Sequence, residues 1–438
     1  MSRGDASLED RCGRIKHLDA ARARALVTAF RRPLRLDGPH LAASIEDEAA
    51  VAAQRCVSLA GLHDGVTCPD VIGHVQTHLP LNGLRRLPLS VARELARHPG
   101  HLSLDGLREL TDGVAEVLGG HAGGGLSLDG VAALSGPAAE ALGRHAGHLS
   151  LNAVRWLDTA AALGLARHAH PLSLDGITTI GRLAAAALSR HRGDLLLGGL
   201  GDLRGPVARH LARHGGKLHL HGVEVVGIET AMAFGQRVGH LCLRGLRSLS
   251  LLQAEALAGH RGELQLQSLM IDDGIAACLG RHVGSLLVRV PTNVPLPRLG
   301  SLVAHQGPLE IGGLRSLDEP RARVLAAQRG VGGRPGLSCL FLDDVTAITP
   351  ASAAILATHA AGGLALPGLT ELDEDVAREI VRHPLLALDR VRGVTDRVAE
   401  ILAAHAGTTL SLRGLRHASP RALALLRESP SVELGPSA

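Results

Sequence analysis

His101–Gly123 reads HLSLDGLRELTDGVAEVLGGHAG, and the chain repeats this pattern directly afterwards. Residues 125–147 read GLSLDGVAALSGPAAEALGRHAG, and residues 148–169 read HLSLNAVRWLDTAAALGLARHA. The shared pattern is x-L-x-L-D-G-L-x-x-L-S, then an alanine-rich segment and a closing H-x-G. Self-similarity at a fixed spacing indicates a repeat protein, in which small units stack and share one core.

Outward from this stretch, the pattern occurs about 18 times at intervals of 22 to 24 residues. One interval is 31 residues, because GVGGRPGLSC is inserted after Arg329. We therefore predict an N-terminal helical cap over 1–33, a single array over 34–434 with an insertion near 330–339, and a short tail over 435–438. The units begin at Leu34, Val57, Leu79, Leu102, Leu126, Leu149, Leu172, Leu195, Leu218, Leu241, Leu264, Leu286, Leu309, Leu340, Leu364, Leu386, Leu410 and Val432.

Each unit divides into a strand half and a helix half. The L-x-L segment alternates with a period of two, which is typical of a strand. Asp-Gly or Asn-Gly then favours a turn, since Gly tolerates positive φ and Asp or Asn bonds its own backbone. Thr349-Pro350 and Ser419-Pro420 are typical of helix starts, and the closing glycine is typical of a helix end. The sequence thus predicts an α/β solenoid with a parallel sheet on one face and short helices on the other.

The segment x-L-x-L-x-x-L-x-x-L resembles that of leucine-rich-repeat proteins, especially the short bacterial repeats. The resemblance covers residues 34–434. It implies a right-handed superhelix, a concave sheet, helices outside, and recognition of a macromolecule, usually a protein. The asparagine of the family motif is replaced in this chain by Leu107, Val131 and Val154.

The composition excludes several classes of protein. The 438 residues are 45% hydrophobic but include only three Phe, one Trp and no Tyr, so Leu, Ala and Val must form the core. A formal charge of +4 is too small and too dispersed to favour nucleic acid. No apolar run reaches the ~18 residues of a membrane helix, and the N-terminus lacks the apolar core of a secretory signal. We expect a monomer in the reducing cytoplasm, with no membrane partner and no cofactor.

A histidine precedes the closing glycine in most units. One interpretation of this column is a ladder that binds metal or conducts protons. The other is a residue that completes the end of each helix, and repetition in almost every unit favours it. Because stacked imidazoles would repel one another when charged, we expect acid to loosen the array. The column is His98, His121, His145, His168, His191, His214, His260, His282, His305, His359, His383 and His405.

An acidic residue or asparagine follows the strand in many units. Carboxylates are suitable calcium ligands, so a row of cation sites is one interpretation. Turn formation is the favoured interpretation, because Gly follows at most of these positions. The column is Asp37, Asn82, Asp105, Asp129, Asn152, Asp175, Asp343 and Asp389.

The strand face changes character from Lys217 onward, where long polar side chains replace Ser and Asp. Alternate strand residues share a face, and equivalent residues of successive units are neighbours. We predict a partner-binding surface formed by Lys217, His219, His221, His240, Cys242, Arg244, Glu263, Gln265, Arg289 and Phe341. Within it, His219, His221, His240 and Cys242 are candidate metal ligands.

The sequence contains no catalytic motif: GxSxG, HExxH and the P-loop are all missing. The hypothesis that follows is a protein-binding scaffold that uses its strand face and is not an enzyme. The alternative is a metal-dependent or metal-responsive protein that uses the His/Cys cluster.

Overall fold

A computed structural model describes residues 15–30, 78–267, 269–328, 338–360 and 362–435. The predicted units that begin at Leu34 and Val57 lie outside the described residues, as do most of the insertion and of the C-terminal tail. The chain forms two compact units. The first comprises Met1–Asp202 with Arg209–Leu220, and the second comprises Leu203–Ala208 with His221–Ala438.

Short strands and short helices alternate along the described chain. The strands are β1 His78–Pro80, β2 His101–Ser103, β3 Gly125–Ser127, β4 His148–Ser150, β5 Leu172–Ser173, β6 Leu195–Leu196, β7 Leu218–His219, β8 Leu241–Cys242, β9 Leu264–Leu266, β10 Leu286–Arg289, β11 Leu309–Gly312, β12 Ser316–Leu317, β13 Ser338–Phe341, β14 Ala347–Ile348, β15 Gly362–Ala365, β16 Leu385–Ala387, β17 Thr409–Leu412 and β18 Val432–Leu434.

The helices, most of them two turns long, are α1 Ala20–Phe30, α2 Leu89–Leu95, α3 Asp112–Gly119, α4 Gly136–Leu142, α5 Thr159–Leu165, α6 Arg182–Leu188, α7 Gly205–Leu211, α8 Ile228–Gly235, α9 Leu251–Ala258, α10 Asp273–Leu279, α11 Leu296–Val303, α12 Glu319–Ala326, α13 Pro350–Leu356, α14 Glu374–Ile380, α15 Asp396–Ala403 and α16 Pro420–Glu428. No helix among the described residues is long and apolar enough to span a bilayer.

The strands of each unit pair in parallel and in chain order. In the first unit this order runs from β1 to β7. In the second unit it runs β8, β9, β10, β11, β13, β15, β16, β17 and β18, while β12 pairs separately with β14. The register places the first leucine of one repeat beside that of the next, as with Leu126 and Leu149. The predicted parallel-sheet α/β solenoid is confirmed in each unit.

Leucine and alanine fill the space between the strands and the helices. Leu102, Leu104 and Leu107 of one repeat are fully buried, and so is Ala115 on the helix that follows. Val131, at the position where the family motif has asparagine, is equally buried. An aliphatic side chain there adds to the apolar core instead of bonding to the backbone of the turn.

Helix starts follow the predicted chemistry. Ser135 and Asp158 each accept a hydrogen bond from the backbone N–H three residues later, which satisfies a donor that the helix leaves free. The proline-rich unit after Leu286 keeps its helix, because Pro295 and Pro297 lie at the N-cap and in the first turn.

The predicted N-terminal helix contacts the first described repeat. The guanidinium of Arg24 on α1 donates to the carboxylate of Glu94 on α2, with Nη2 and Oε1 2.9 Å apart. Ala23 and Val27 of α1 are buried.

Glycine permits the close spacing of neighbouring turns. A Cβ atom at Gly176 would lie 1.9 Å from the carbonyl oxygen of Asn152 in the preceding repeat. At the helix end, a Cβ atom at Gly123 would lie 2.1 Å from the carbonyl oxygen of Gly100 in the preceding repeat. The Asp-Gly and H-x-G motifs are therefore required by the packing of one repeat on the next.

Candidate functional site

In the first unit the column histidines form a buried stack. The ring centroids of successive histidines from His98 to His214 are 5.4 to 6.5 Å apart, and their planes differ by at most 21°. His145 Nδ1 lies 3.2 Å from the backbone carbonyl oxygen of His121, which follows the helix of the preceding repeat. These contacts favour a structural role at the helix ends over metal binding.

In the second unit the column contains hydrogen bonds between side chains. His260 Nδ1 lies 3.2 Å from His282 Nε2. At the position where Gln328 replaces histidine, its amide donates to the carbonyl of Gly307 at 3.1 Å, and its Oε1 lies 3.2 Å from His359 Nε2. Gln328 is buried. A planar hydrogen-bonding side chain therefore fits this position without an imidazole.

Burial lowers the pKa of several histidines of the column. Desolvation, and next the neighbouring imidazoles, lower the pKa of His121 and His168 to about 3. Desolvation and the neighbouring His383 lower the pKa of His359 to about 4. His121, His168 and His359 are thus uncharged at neutral pH, which couples the stability of the fold to protons.

The strand face of the first unit is occupied by a hydrogen-bonded ladder of serine and Asp or Asn. The hydroxyl of Ser127 donates to Asp105 Oδ1 at 2.5 Å, and the backbone N–H of Asp129 donates to the same oxygen at 3.0 Å. Ser150 and the N–H of Asn152 bond to Asp129 Oδ1 in the same way. These oxygens were expected to bond within their own turn, but they link each repeat to the next. Their acceptor capacity is largely used by protein donors, which favours a structural role over a row of cation sites.

The strand face of the second unit carries a network of long polar side chains instead. Arg244 Nε donates to Gln265 Oε1 at 3.0 Å, and Gln265 Nε2 donates to Glu263 Oε1 at 2.5 Å. Glu263 Oε2 lies 3.1 Å from His240 Nδ1. Four of the predicted binding residues are thus connected in one cluster.

Next to this network the second unit holds a group of carboxyls that the sequence interpretation missed. Burial, and next a hydrogen bond with Asp343, raise the pKa of Glu310 well above its ordinary value, which favours a proton on this pair of carboxyls. Asp344 accepts from Arg289 Nη2 at 3.1 Å and from the N–H of Gly313 at 2.6 Å. A small cavity of about 80 Å³ is lined by Gln267, Leu287, Val288, Arg289, Glu310, Gly312, Asp343 and Asp344.

The remaining predicted residues are distributed along the strands. Lys217 lies in the first unit, where its ammonium is 3.8 Å from Asp194. Phe341 lies opposite Glu310 in the β11–β13 ladder and is partly exposed. Trp156, which was not predicted to take part in binding, is 63% exposed in the first unit.

The candidate metal ligands are divided between the two units. His219 lies in the first unit, whereas His221, His240 and Cys242 lie in the second. A ring nitrogen of His221 is within 4.8 Å of Cys242 Sγ, and His240 contacts Glu263. Cys242 is fully buried, and burial raises the pKa of its thiol to about 11. The thiolate that a metal requires is therefore costly to form.

Metal content after purification tests the metal-binding alternative. We expect dialysed full-length protein to retain no stoichiometric zinc by elemental analysis, because the Cys242 thiol is held protonated. His221→Ala should then leave the zinc titration unchanged relative to the wild type. About one equivalent of zinc in the wild type, lost in His221→Ala and kept in a His417→Ala control, would establish a metal site.

Comparison with known proteins gives similarities of structure only. A scan against protein-family models and a search of curated proteins give no match. A leucine-rich-repeat protein of Leptospira interrogans has a TM-score of 0.40 and 17% identity, over 82% of this chain and 94% of that one. An internalin of Listeria monocytogenes has a TM-score of 0.28 and 16% identity, over 80% of this chain and 89% of that one. A chain of the yeast Rad7 and Elc1 complex has a TM-score of 0.35 and 11% identity, over 82% of this chain and 80% of that one.

The class of fold rests on the geometry of the units themselves, in which parallel L-x-L strands alternate with short helices at the repeat spacing. That arrangement is the one expected of leucine-rich-repeat proteins, and the predicted resemblance is confirmed at this level.

Proposed function

We propose that this chain is a protein-binding scaffold and not an enzyme, and that it binds its partner on the strand face of the second unit. The observation that carries the proposal is the contrast between the two strand faces. In the first unit, short side chains such as Ser127 and Asp105 bond to one another. In the second unit, Arg244, Glu263 and Arg289 extend long charged groups, and their side chains are partly exposed.

Several features of this surface support a protein as the partner. It carries both signs of charge, which suits a protein surface better than a polyanion. Arg and Phe are residue types that contribute strongly at protein interfaces, and Arg289 and Phe341 supply them here. The proposal places the chain in the cytoplasm, in keeping with its free cysteines among the described residues.

Charge reversal on the strand face tests the proposal. Arg244→Glu combined with Arg289→Glu should reduce partner capture about tenfold or more. The two new carboxylates would repel the acidic groups of the partner that face the arginines in the wild type. The matched control is Arg323→Glu with Arg378→Glu, which reverses two exposed arginines on helices of the same unit.

The measurement is quantitative mass spectrometry of proteins that immobilised wild type, variant and control retain from native lysate. A protein held by wild type and control but lost from the strand-face variant supports the proposal. Equal retention by all three, with unchanged melting temperatures, contradicts it.

A further inference from the structure

The first unit contains a cavity that is lined mainly by basic side chains. Its volume is about 550 Å³, within the range of roughly 300 to 1,000 Å³ that is typical of small-molecule sites. All of its lining residues belong to the first compact unit, and none belongs to the strand face that the proposed function uses. We name it the basic cavity, and it is lined by Lys16, His17, Leu18, Asp19, Arg22, Arg85, Arg86 and Pro88.

Two segments form the basic cavity, and contacts between α1 and α2 hold them together. Residues 16–19 directly precede α1, and residues 85–88 directly precede α2. The guanidinium of Arg24 on α1 donates twice to the carboxylate of Glu94 on α2, from Nε at 3.2 Å and from Nη2 at 2.9 Å. The cavity therefore lies where two packed helices begin.

The cavity carries more positive than negative charge. Asp19 is the one carboxylate among its lining residues. Asp19 Oδ1 accepts the N–H of Arg22 at 2.8 Å, and Oδ2 lies 3.7 Å from Arg22 Nε. The side chains of Lys16, Arg85 and Arg86 are exposed and have no ion pair with any residue that the structure describes. Three positive charges thus line one cavity without a carboxylate to balance them.

Other repeats show that the fold does not require these arginines. Arginine recurs at the position of Arg85, as in Arg108 and Arg155, but no other described repeat has a second arginine directly after it. The position of Arg85 also accepts Ala132, Thr178 and Glu224, and the position of Arg86 accepts Glu109, Ala133, Trp156 and Thr179. Packing of the repeat therefore leaves the adjacent pair of arginines unexplained.

The charge and the shape of the cavity favour a small molecule that carries phosphate groups. Guanidinium groups form paired hydrogen bonds with phosphate oxygens, and Arg85 and Arg86 supply two of them to the same cavity. A diphosphate or triphosphate balances three cations, whereas one carboxylate balances a single cation. Leu18 and Pro88 offer apolar contacts to an organic group attached to the phosphates.

A nucleic acid fits these observations less well. It requires an extended basic surface, and the formal charge of the whole chain is only +4. The unbalanced charge described above is concentrated in one cavity of small-molecule size instead.

We propose that the basic cavity binds a soluble molecule with a diphosphate or triphosphate group, and that Lys16, Arg85 and Arg86 bind its phosphates. The chain then has a ligand site in its first unit in addition to the protein-binding surface of its second unit. No cofactor was expected from the sequence, and these three residues were not among the candidates. They are distant in the sequence and line the same cavity because α1 packs against α2.

Isothermal titration calorimetry of the full chain with pyrophosphate, and separately with ATP, tests the site. The wild type should bind both, and ATP more tightly, because its base and sugar contact Leu18 and Pro88. About 0.5 M sodium chloride should weaken binding roughly tenfold through screening of the exposed charges. Arg85→Glu with Arg86→Glu should weaken binding of both probes about thirtyfold or more, because attraction becomes repulsion. Glutamate occurs naturally at both positions in other repeats, as Glu224 and Glu109, so this variant is expected to fold.

Arg155→Glu with Arg182→Glu is the matched control. It makes the same change in net charge at two exposed arginines of the first unit that do not line the cavity, so it should bind as the wild type does. Lys16→Glu should weaken binding about tenfold, because Lys16 lies on the segment before α1. Far-ultraviolet circular dichroism should confirm that each variant is folded.

Several results would overturn the proposal. One is a wild type that binds neither pyrophosphate nor ATP. Others are an equal loss of binding in the control, or an unchanged affinity in Arg85→Glu with Arg86→Glu or in Lys16→Glu. Binding to vesicles that contain phosphoinositides without binding to free ATP would assign the cavity to a membrane lipid instead. Equal affinity for sulfate and pyrophosphate at matched ionic strength would show unspecific attraction of anions. None of these measurements depends on Arg244 or Arg289, so this proposal and the protein-binding proposal succeed or fail separately.

Discussion

Lowering the pH from 7.5 to 5.5 is expected to lower the melting temperature by more than about 10 °C, because several buried histidines of the column stay neutral in the folded chain. The pKa of His121, His168 and His282 is lowered to about 3, and that of His145 and His260 to about 4, in each case mainly by burial. In the unfolded chain these side chains titrate near 6.5.

The sign of the effect follows from the difference in bound protons. Above pH 6.5 neither state binds these protons, so the full stability is present. As the pH falls below 6.5 the unfolded chain takes up protons that the folded chain does not, until the pH reaches the folded pKa of about 3 to 4. Below pH 6.5, each such histidine lowers the free energy of unfolding by about 1.4 kcal/mol per pH unit. Over two pH units, the loss from several histidines together exceeds the free energy of unfolding of most domains.

Glutamine at the same positions provides the control. Gln328 already occupies the column without titrating, so His121→Gln, His145→Gln and His168→Gln in one variant should flatten the dependence of melting temperature on pH. The measurement is far-ultraviolet circular dichroism, because the chain has one Trp, which is exposed, and no Tyr. A wild type whose melting temperature is the same at both pH values would contradict the expectation.

Replacing one turn glycine is expected to have the second large effect. Gly176→Ala should reduce the free energy of unfolding by about 3 kcal/mol, since its Cβ would lie 1.9 Å from the carbonyl oxygen of Asn152 and the two turns must move apart. That movement would also stretch the bond from the N–H of Asp175 to Asn152 Oδ1, now 2.9 Å.

Gly181→Ala is the matched control in the same repeat. Nothing lies within 4 Å of a Cβ atom there, and Gly181 has an extended conformation with φ of −74° at the N-cap of α6. The change should lower stability by only about 0.5 to 1 kcal/mol, because alanine is a poorer N-cap residue than glycine. Urea denaturation of both variants measures the difference, and equal midpoints would show that the turns are not in the close contact described above.

The regular part of the fold was predictable because it depends on local periodicity. The leucines of L-x-L have a period of two, and the cap residues and H-x-G mark the helix ends. Strands such as β3 and β4 therefore lie where the pattern placed them, with Leu126 beside Leu149. The small β12–β14 pair was not predicted, since Ser316–Leu317 and Ala347–Ile348 lack the L-x-L pattern.

The serine–carboxylate ladder had a signal in the sequence, since Ser and Asp or Asn recur at fixed positions of the repeat. Ser127 and Asp105 are 22 residues apart, and their bond follows only once neighbouring repeats are placed in register. The Asp column was assigned to its own turn, so the bonds between repeats were missed.

The carboxyls near Phe341 were missed for a different reason. Leu309 and Leu340 were predicted to start successive units, so their strands were expected side by side. Glu310 is the second residue of its unit and Asp343 the fourth residue of the next, so comparing equivalent positions does not bring the two carboxyls together. The depth of histidine burial, and hence the size of the pKa shifts, depends on packing that a sequence pattern does not express.

The uniformity of the repeats has a consequence for how the chain finds its alignment. Strand β3 meets the same Leu-Ser sequence on β5 as on β4, so a shift by one whole repeat would preserve leucine burial and most serine bonds. Irregular residues break this degeneracy. Gln328 contacts His359 and Gly307 only when the repeats are correctly aligned. Such rare substitutions therefore favour the native pairing of the strands over a pairing shifted by one repeat.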